Sequence, residues 1–251
     1  MNYMMSDPFF KPLIENIDYY FLQEDNTVIC DRRNVIKIIN FKNKKYVVKS
    51  FKVPHLLNRV IYGLFRSSKA KRSYINSKKL LAKGINTPVP IGYIEFTSSI
   101  FFDKSYYISE YIDFDFEIRA VLSDKNFPNR EELLNSFMEF TSLLHQKGIY
   151  HIDYSPGNIL VRKDKNKYSF SIVDVNRMKF QTMDIKTRMK SISKLTDDIE
   201  DSKKLIFYYS KHSGINKEKL EKYYKKYLDK QKNYLARKAF FKKIRKLLIN
   251  R

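Results

Sequence analysis

The chain has 251 residues, with 49 Lys and Arg against 27 Asp and Glu, which gives a formal net charge of +22. This length allows one domain or two small lobes with a real core, and the charge favours an anionic partner, such as nucleic acid, a membrane surface or a phosphorylated substrate. The single cysteine, Cys30, excludes an intramolecular disulfide framework, and no apolar run is long enough for a transmembrane helix.

The amino-terminal third predicts a small antiparallel sheet. Residues 1–26, which are aromatic and mixed in charge, are expected to form an irregular lead-in. Three strand-like runs separated by polar turns follow, at Thr27–Cys30, Val35–Ile39 and Tyr46–Phe51. Lys49 lies on the third run, as does the lysine that binds nucleotide phosphates in kinases. We therefore predict Lys49 as a phosphate-binding residue, with an ordinary surface lysine as the alternative.

Two features of a nucleotide-binding lobe are absent from this region. The turn between the first two strands contains no glycine, so a glycine-rich loop cannot cover the phosphates there. The helix predicted over Ser67–Lys83 has no carboxylate, since no acidic residue occurs between Phe51 and Tyr93. Lys49 therefore lacks the helix glutamate with which it would form an ion pair in a protein kinase.

The next segments predict the end of this lobe. Gly84 is expected to end the helix, and strand-like runs follow at Ile91–Phe96 and Tyr106–Ile112. We predict that the backbone near Glu110–Ile112 is a hinge that binds adenine, with a simple edge strand as the alternative. The predicted lobes are accordingly 27–111 and 112–251.

The motif that indicates chemistry follows a helix predicted over Arg130–His145. It consists of His151-x-Asp153, with Asn158 five residues after the aspartate, and a short strand that leads to Asp174. In phosphoryl transfer, such an aspartate accepts a hydroxyl proton, while the asparagine and the second aspartate hold Mg²⁺. These residue types also form turns, but the order of helix, loop and strand favours the kinase interpretation.

Four segments resemble the lipopolysaccharide kinase (Kdo/WaaP) family, and the resemblance covers roughly Thr27 to Lys194. They are Lys69–Tyr74, Lys79–Tyr93, Gly148–Leu160 and Asp174–Phe180. The resemblance implies an α+β, bilobal protein-kinase-like fold, with a small antiparallel β-sheet and one main helix in the N-lobe and a mostly helical C-lobe. It also implies an enzyme that uses ATP and Mg²⁺ to phosphorylate a sugar hydroxyl in the inner core of lipopolysaccharide, so that a glycolipid is the expected substrate.

The resemblance assigns roles to individual residues. Asp153 would be the catalytic base, Asn158 and Asp174 the metal ligands, and Lys49 the phosphate-binding lysine. The missing helix glutamate would fall at Ile75, and this departure leaves open a catalytically weak nucleotide-binding pseudokinase. A protein kinase or a small-molecule kinase of the aminoglycoside type is the other alternative. No Ala-Pro-Glu motif follows the metal-binding aspartate, which favours a small molecule or a glycolipid over a protein as acceptor.

Asn176-Arg177 stands where Phe-Gly usually follows the metal-binding aspartate. We predict that Arg177 contacts a phosphate or an anion of the acceptor, with a structural salt bridge as the alternative. His145, at the end of the predicted helix, is expected to pack or cap and is given no catalytic role.

The carboxy-terminal tail, about 217–251, predicts a basic amphipathic helix, broken near Gln231. Its last part alternates cations with apolar residues, namely Arg237, Lys238, Lys242, Lys243, Arg245, Lys246 and Arg251 with Leu235, Phe240, Phe241, Ile244, Leu247 and Leu248. Such a helix is expected to lie on an anionic membrane surface, so we predict a cytoplasmic protein, peripheral at the inner face of the cytoplasmic membrane. A C-lobe helix with a solvated basic face is the alternative. Nucleic-acid binding is not expected, because no motif for it is present.

Overall fold

A computed structural model describes residues 1–31, 34–51, 67–98, 101–165, 167–230 and 240 of the chain, without the side chains of residues 98 and 101. These residues form two compact units. The first unit comprises Met1–Asp113 with Ser171–Arg177, and the second comprises Phe114–Phe170 with Met178–Arg251.

The first unit is built on a six-stranded antiparallel sheet. Its strands are β1 (Asn2–Met5), β2 (Thr27–Asp31), β3 (Asn34–Phe41), β4 (Lys44–Phe51), β5 (Pro90–Ser98) and β6 (Phe101–Glu110). Their order in the sheet is β1-β5-β6-β4-β3-β2, so β4 and β6 lie at the centre. The strands predicted within 27–51 are thereby confirmed, and each contains the apolar, β-branched run on which the prediction was based.

The expectation of an irregular lead-in was wrong. Residues 2–5 form β1, which pairs with β5 at the edge of the sheet, and two short helices follow, α1 (Lys11–Glu15) and α2 (Ile17–Leu22). The buried side chains of Ile14 and Phe21 pack in one core cluster with the sheet residues Val48 and Ile108. Helices this short depend on packing for their stability and are too short for a periodic pattern.

The main helix of the first unit, α3 (Lys69–Ala82), agrees with the helix predicted over Ser67–Lys83. Ser68 caps its start, since the side-chain oxygen accepts a hydrogen bond of 3.0 Å from the Lys71 amide. At its end, Gly84 takes a left-handed conformation with φ +68°, and the Ile85 amide donates to the Leu80 carbonyl at 3.0 Å. This is the Schellman arrangement that favours glycine at a helix end.

The second unit is mostly helical. Its helices are α4 (Ile118–Ser123), α5 (Arg130–Gln146), α6 (Ile185–Ile192), α7 (Ile199–Ser213) and α8 (217–230). Its short strands are β7 (Phe116–Glu117), β8 (Ile149–His151), β9 (Ile159–Asp164), β10 (Lys167–Ile172, whose last two residues belong to the first unit) and β11 (Met178–Phe180). The helix predicted over Arg130–His145 is confirmed as α5, and Gly148 follows it with φ +70°. Residues 113–129, which precede α5, contain β7 and α4.

The last described helix, α8, packs an apolar stripe into the second unit. Leu220, Tyr224 and Leu228 are buried, and the Tyr224 hydroxyl is 2.9 Å from the Ser202 hydroxyl. The predicted break near Gln231 and the basic, apolar-striped tail lie outside the described residues, apart from Phe240, whose side chain is exposed. Within the described ranges, no helix is long and apolar enough to cross a membrane.

Candidate active site

Lys49 lies on the central strand β4, where Tyr107 of β6 is its cross-strand neighbour. Its side chain is only 12% exposed and forms an ion pair with the Asp174 carboxylate. The Tyr107 hydroxyl is held by the Ser77 hydroxyl at 2.8 Å, and burial raises the pKa of Tyr107 to about 12. The tyrosine is therefore neutral at working pH, and Asp174 is the anion that balances Lys49.

Asp174 lies in a tight turn, two residues after the end of β10. Its backbone takes a left-handed conformation, with φ +56°, which aspartate tolerates better than most residues. The Asn176 side-chain amide donates to Oδ1 of Asp174 at 2.7 Å, so this oxygen accepts from both Asn176 and Lys49. The structure thus brings Lys49 and Asp174 together, as a strand lysine and a metal-binding carboxylate require.

The predicted adenine-binding segment lies at the end of β6. Two of its backbone amides donate within the sheet, Glu110 to the Val89 carbonyl at 2.9 Å and Tyr111 to the Lys45 carbonyl at 3.2 Å. The Ile112 amide makes no hydrogen bond to any described residue. The adenine-binding role of this segment stays a prediction.

The second unit carries the His151–Asn158 loop, which follows β8. Its shape is fixed through the backbone of Asp153, whose amide donates to Nδ1 of the buried His151 at 3.0 Å. The Asp153 carbonyl accepts from the Asn158 side-chain amide and from the Ser155 amide, both at 2.8 Å. Because the nitrogen end of Asn158 is used in this way, its amide oxygen is the end that remains for a cation.

Further contacts anchor the same loop to its unit. Tyr154 is buried, its ring stacks on Phe137 of α5, and its hydroxyl is 2.9 Å from that of Thr141. The Lys194 ammonium donates to the Ile152 carbonyl, next to Asp153. The sequence analysis missed Lys194, and no signal could have found it, because a lysine that binds a backbone carbonyl has no complementary side chain in the sequence.

The structure also shows where three other residues of the sequence analysis lie, namely Arg177, Ile75 and His145. Arg177 is exposed, and its contact with an anion stays a prediction. Ile75 is 37% exposed, whereas Tyr74 and Ser77 lie on the buried face of α3, so Ile75 does not occupy the position of a helix glutamate. His145 is buried with Nδ1 2.9 Å from the Tyr209 hydroxyl, in agreement with a packing role.

Comparisons with known proteins identify the family and the fold. The family model of the lipopolysaccharide kinase (Kdo/WaaP) family matches residues 24–227. The solved structure of WaaP in complex with acyl carrier protein is 15% identical, covers 92% of this chain and 99% of its own, and superposes with a TM-score of 0.63. The predicted α+β, bilobal protein-kinase-like fold is thereby confirmed.

A second structure, a co-crystal of WbdD with a kinase inhibitor, is 16% identical and covers 80% of this chain and 44% of its own, with a TM-score of 0.44. A search of curated proteins finds no match. The family match extends over most of the sequence and includes the strand lysine, the His151–Asn158 loop and Asp174. The chain belongs to the lipopolysaccharide kinase (Kdo/WaaP) family and is a kinase.

Proposed function

We propose that this kinase uses ATP to phosphorylate a sugar hydroxyl in the inner core of lipopolysaccharide. The observation that carries the proposal is the His151–Asn158 loop, because His151 and Asn158 fix the backbone of Asp153 from both sides. In phosphoryl transfer the protein contributes mainly positioning and electrostatic stabilisation, so a rigidly held aspartate is the feature to expect.

Individual residues have the following proposed roles. Asp153 accepts the proton of the attacking hydroxyl, and its two backbone contacts keep it in place. Lys49 is charged, mostly buried and anchored on the sheet, and it binds the nucleotide phosphates. The backbone of Glu110 and Ile112 binds adenine, and Arg177 contacts a phosphate or an acceptor anion.

The residues present fit Mg²⁺, which prefers hard oxygen ligands and usually keeps waters and substrate phosphates in its shell. Asp174 supplies a carboxylate, and the amide nitrogen of Asn158 is already bonded, which leaves its oxygen for the metal. Among the described residues no group of three or more acidic, histidine or cysteine side chains is placed to hold a metal alone. A bound Mg²⁺ would neutralise charge on the phosphates during transfer.

The decisive experiment compares wild type with Asp153→Asn. Phosphate transfer from labelled ATP to lipopolysaccharide core is measured together with ATP affinity. We expect Asp153→Asn to lose about 10²–10⁴-fold in rate, which is the usual contribution of a general base, with little change in ATP affinity. The matched control is Asp164→Asn in the exposed β9–β10 hairpin, which should keep the wild-type rate. A variant at position 153 that transfers phosphate as fast as wild type would refute the role of base.

The two alternatives predict different results in the same assays. A kinase of the same fold with a protein or small-molecule acceptor would turn over ATP on such acceptors and leave lipopolysaccharide unmodified. A pseudokinase would bind ATP without turnover on any acceptor. Mass spectrometry of the lipopolysaccharide core from a deletion strain separates a kinase with another acceptor from our proposal. An unchanged phosphate content of the core would count against our proposal.

We also propose that the basic tail brings the kinase to the anionic inner face of the cytoplasmic membrane. The support is the alternation of cations and apolar residues after Asp229, together with the net charge of +22. The buried stripe of α8 favours a packing role for residues 217–230, so the proposal concerns the residues beyond them. Cosedimentation with phosphatidylglycerol vesicles should fall when residues 235–251 are removed, and equal binding of the truncated chain would contradict it.

A further inference from the structure

The helix α3 lacks the carboxylate that usually couples such a helix to the strand lysine. No acidic residue lies between Phe51 and Tyr93 in the sequence, and Lys49 instead forms its ion pair with Asp174. In protein kinases the helix is held in its active position through the lysine–glutamate pair. In this chain a different contact must therefore hold α3 relative to the catalytic groups of the first unit.

Two side chains of α3 supply such a contact, which we call the α3–turn contact. The Asn76 amide nitrogen donates to the Val175 carbonyl at 2.7 Å, and Nε of Arg72 donates to the Asn176 carbonyl at 3.1 Å. Arg72 and Asn76 are four residues apart and therefore lie on the same face of the helix. Asn76 is buried, so the loss of its hydrogen bond would leave the Val175 carbonyl without its partner away from water.

The turn that receives these bonds is the one that holds Asp174. The two carbonyls belong to the residues directly after Asp174, and the Asn176 side chain donates to the Asp174 carboxylate at 2.7 Å. The left-handed backbone of Asp174, with φ +56°, is a conformation that the surrounding contacts must maintain. A rotation of the Val175 or Asn176 peptide would therefore displace the Asp174 carboxylate.

We propose that Arg72 and Asn76 are positioning residues that hold the metal-binding aspartate and so replace the lysine–glutamate pair. This inference rests on the proposed role of Asp174 as a magnesium ligand. It explains how a helix without any carboxylate is still coupled to the site. Because Asn76 is uncharged and its acceptor is a backbone carbonyl, this part of the coupling does not depend on the protonation of a side chain.

The test uses Asn76→Leu, which keeps the size of the side chain and removes its donor, and Arg72→Lys, which keeps the charge and removes the guanidinium fork. Ser73→Ala is the matched control, because Ser73 is also buried on α3 and its hydroxyl donates to the Lys69 carbonyl of its own helix. For each protein we would measure nucleotide affinity with and without Mg²⁺, melting temperature, and hydrogen exchange of the peptide 171–177.

We expect Asn76→Leu to require about tenfold more Mg²⁺ for half-maximal nucleotide binding, as the loss of one buried hydrogen bond of about 1.4 kcal/mol implies. Its metal-free nucleotide affinity should match wild type, and the peptide 171–177 should exchange faster even without ligand. Arg72→Lys should shift the Mg²⁺ dependence in the same direction, and this variant decides the question if Asn76→Leu does not fold.

Three results would overturn the proposal, and they can be told apart. If wild type shows Mg²⁺-dependent nucleotide binding and both variants share its Mg²⁺ dependence, the α3–turn contact has no positioning role. If the variants lose only thermal stability, as Ser73→Ala would through packing alone, the contact is structural. If wild type itself shows no Mg²⁺-dependent binding, the proposed function fails and this inference fails with it.

Discussion

The buried ion pair between Arg130 and Asp201 offers a direct test of what holds the second unit together. Arg130 begins α5 and is 6% exposed, whereas Asp201 lies in the first turn of α7 and is fully buried. Nη2 of Arg130 lies 2.7 Å from Oδ1 of Asp201, and its Nε donates to the carbonyls of Val121 and Asp124 at 3.0 and 3.1 Å. Arg130 thus forms a buried link between its neighbour α7 and the helix that precedes the His151–Asn158 loop.

We expect Arg130→Met to destabilise the protein by about 3–5 kcal/mol, because it leaves a buried carboxylate without its hydrogen-bonded cation. For a chain of this size, that corresponds to a fall in melting temperature of about 10 °C. The double variant Arg130→Met with Asp201→Leu should recover most of the loss, since the replacement of both charges by apolar groups is often close to neutral. Urea denaturation followed by circular dichroism measures all of these differences.

Lys125 provides the matched control for this pair. Its ammonium lies 3.0 Å from Oδ2 of Asp201, but its side chain is 46% exposed, and the contact lacks the geometry of a hydrogen bond. Lys125→Met should therefore cost much less than Arg130→Met, because solvent-exposed ion pairs contribute little to stability. If Arg130→Met cost as little as Lys125→Met, or if the double variant were less stable than Arg130→Met, the reasoning from burial would be wrong.

Two other features lead to predictions of direction and size. Burial lowers the pKa of His145 to about 3, so below its ordinary value of 6.5 the unfolded chain binds a proton that the folded chain does not. The free energy of unfolding should therefore fall by about 1.4 kcal/mol per pH unit below pH 6.5 from this group alone. His145→Gln should reduce this dependence between pH 6 and 5. An unchanged dependence would show that the folded protein can protonate His145. Gly148→Ala should destabilise by about 1–3 kcal/mol, because its φ is +70° and a Cβ would lie 2.9 Å from the Gln181 carbonyl oxygen. Gly157→Ala should cost less, since the atoms nearest to the added Cβ belong to the far end of the exposed Arg119 side chain, which can move aside. Thermal melts that show the opposite order would contradict the geometry.

The sequence predicted the parts of the fold whose patterns are local. The strands within 27–51 are apolar runs between polar turns, α5 has a 3–4 apolar spacing, and a glycine follows both α3 and α5. The lead-in could not be predicted in this way, because β1 pairs with β5 about ninety residues later in the sequence. Gly92 makes this approach possible, since a Cβ there would lie 2.6 Å from the Met4 carbonyl oxygen.

The sequence likewise predicted only some of the residues at the candidate site. Asp153, Asn158 and Asp174 stand at spacings that a sequence displays, and their residue types indicate their chemistry. Asn76 and Lys194 bind backbone carbonyls, which every residue possesses, so no partner type appears in the sequence. Contacts of this kind emerge only from the folded backbone.

The missing helix glutamate weighs less against catalysis than the sequence alone implies. A pseudokinase that had lost the lysine–glutamate pair would be free to lose the order of the Asp174 turn as well, since nothing would then require it. The turn is nonetheless bonded to α3 through Arg72 and Asn76, and Asp174 is paired with Lys49 and Asn176. Four polar contacts therefore converge on the Asp174 carboxylate and the two peptides after it, and such an ordered turn is what the proposed metal-binding role of Asp174 requires.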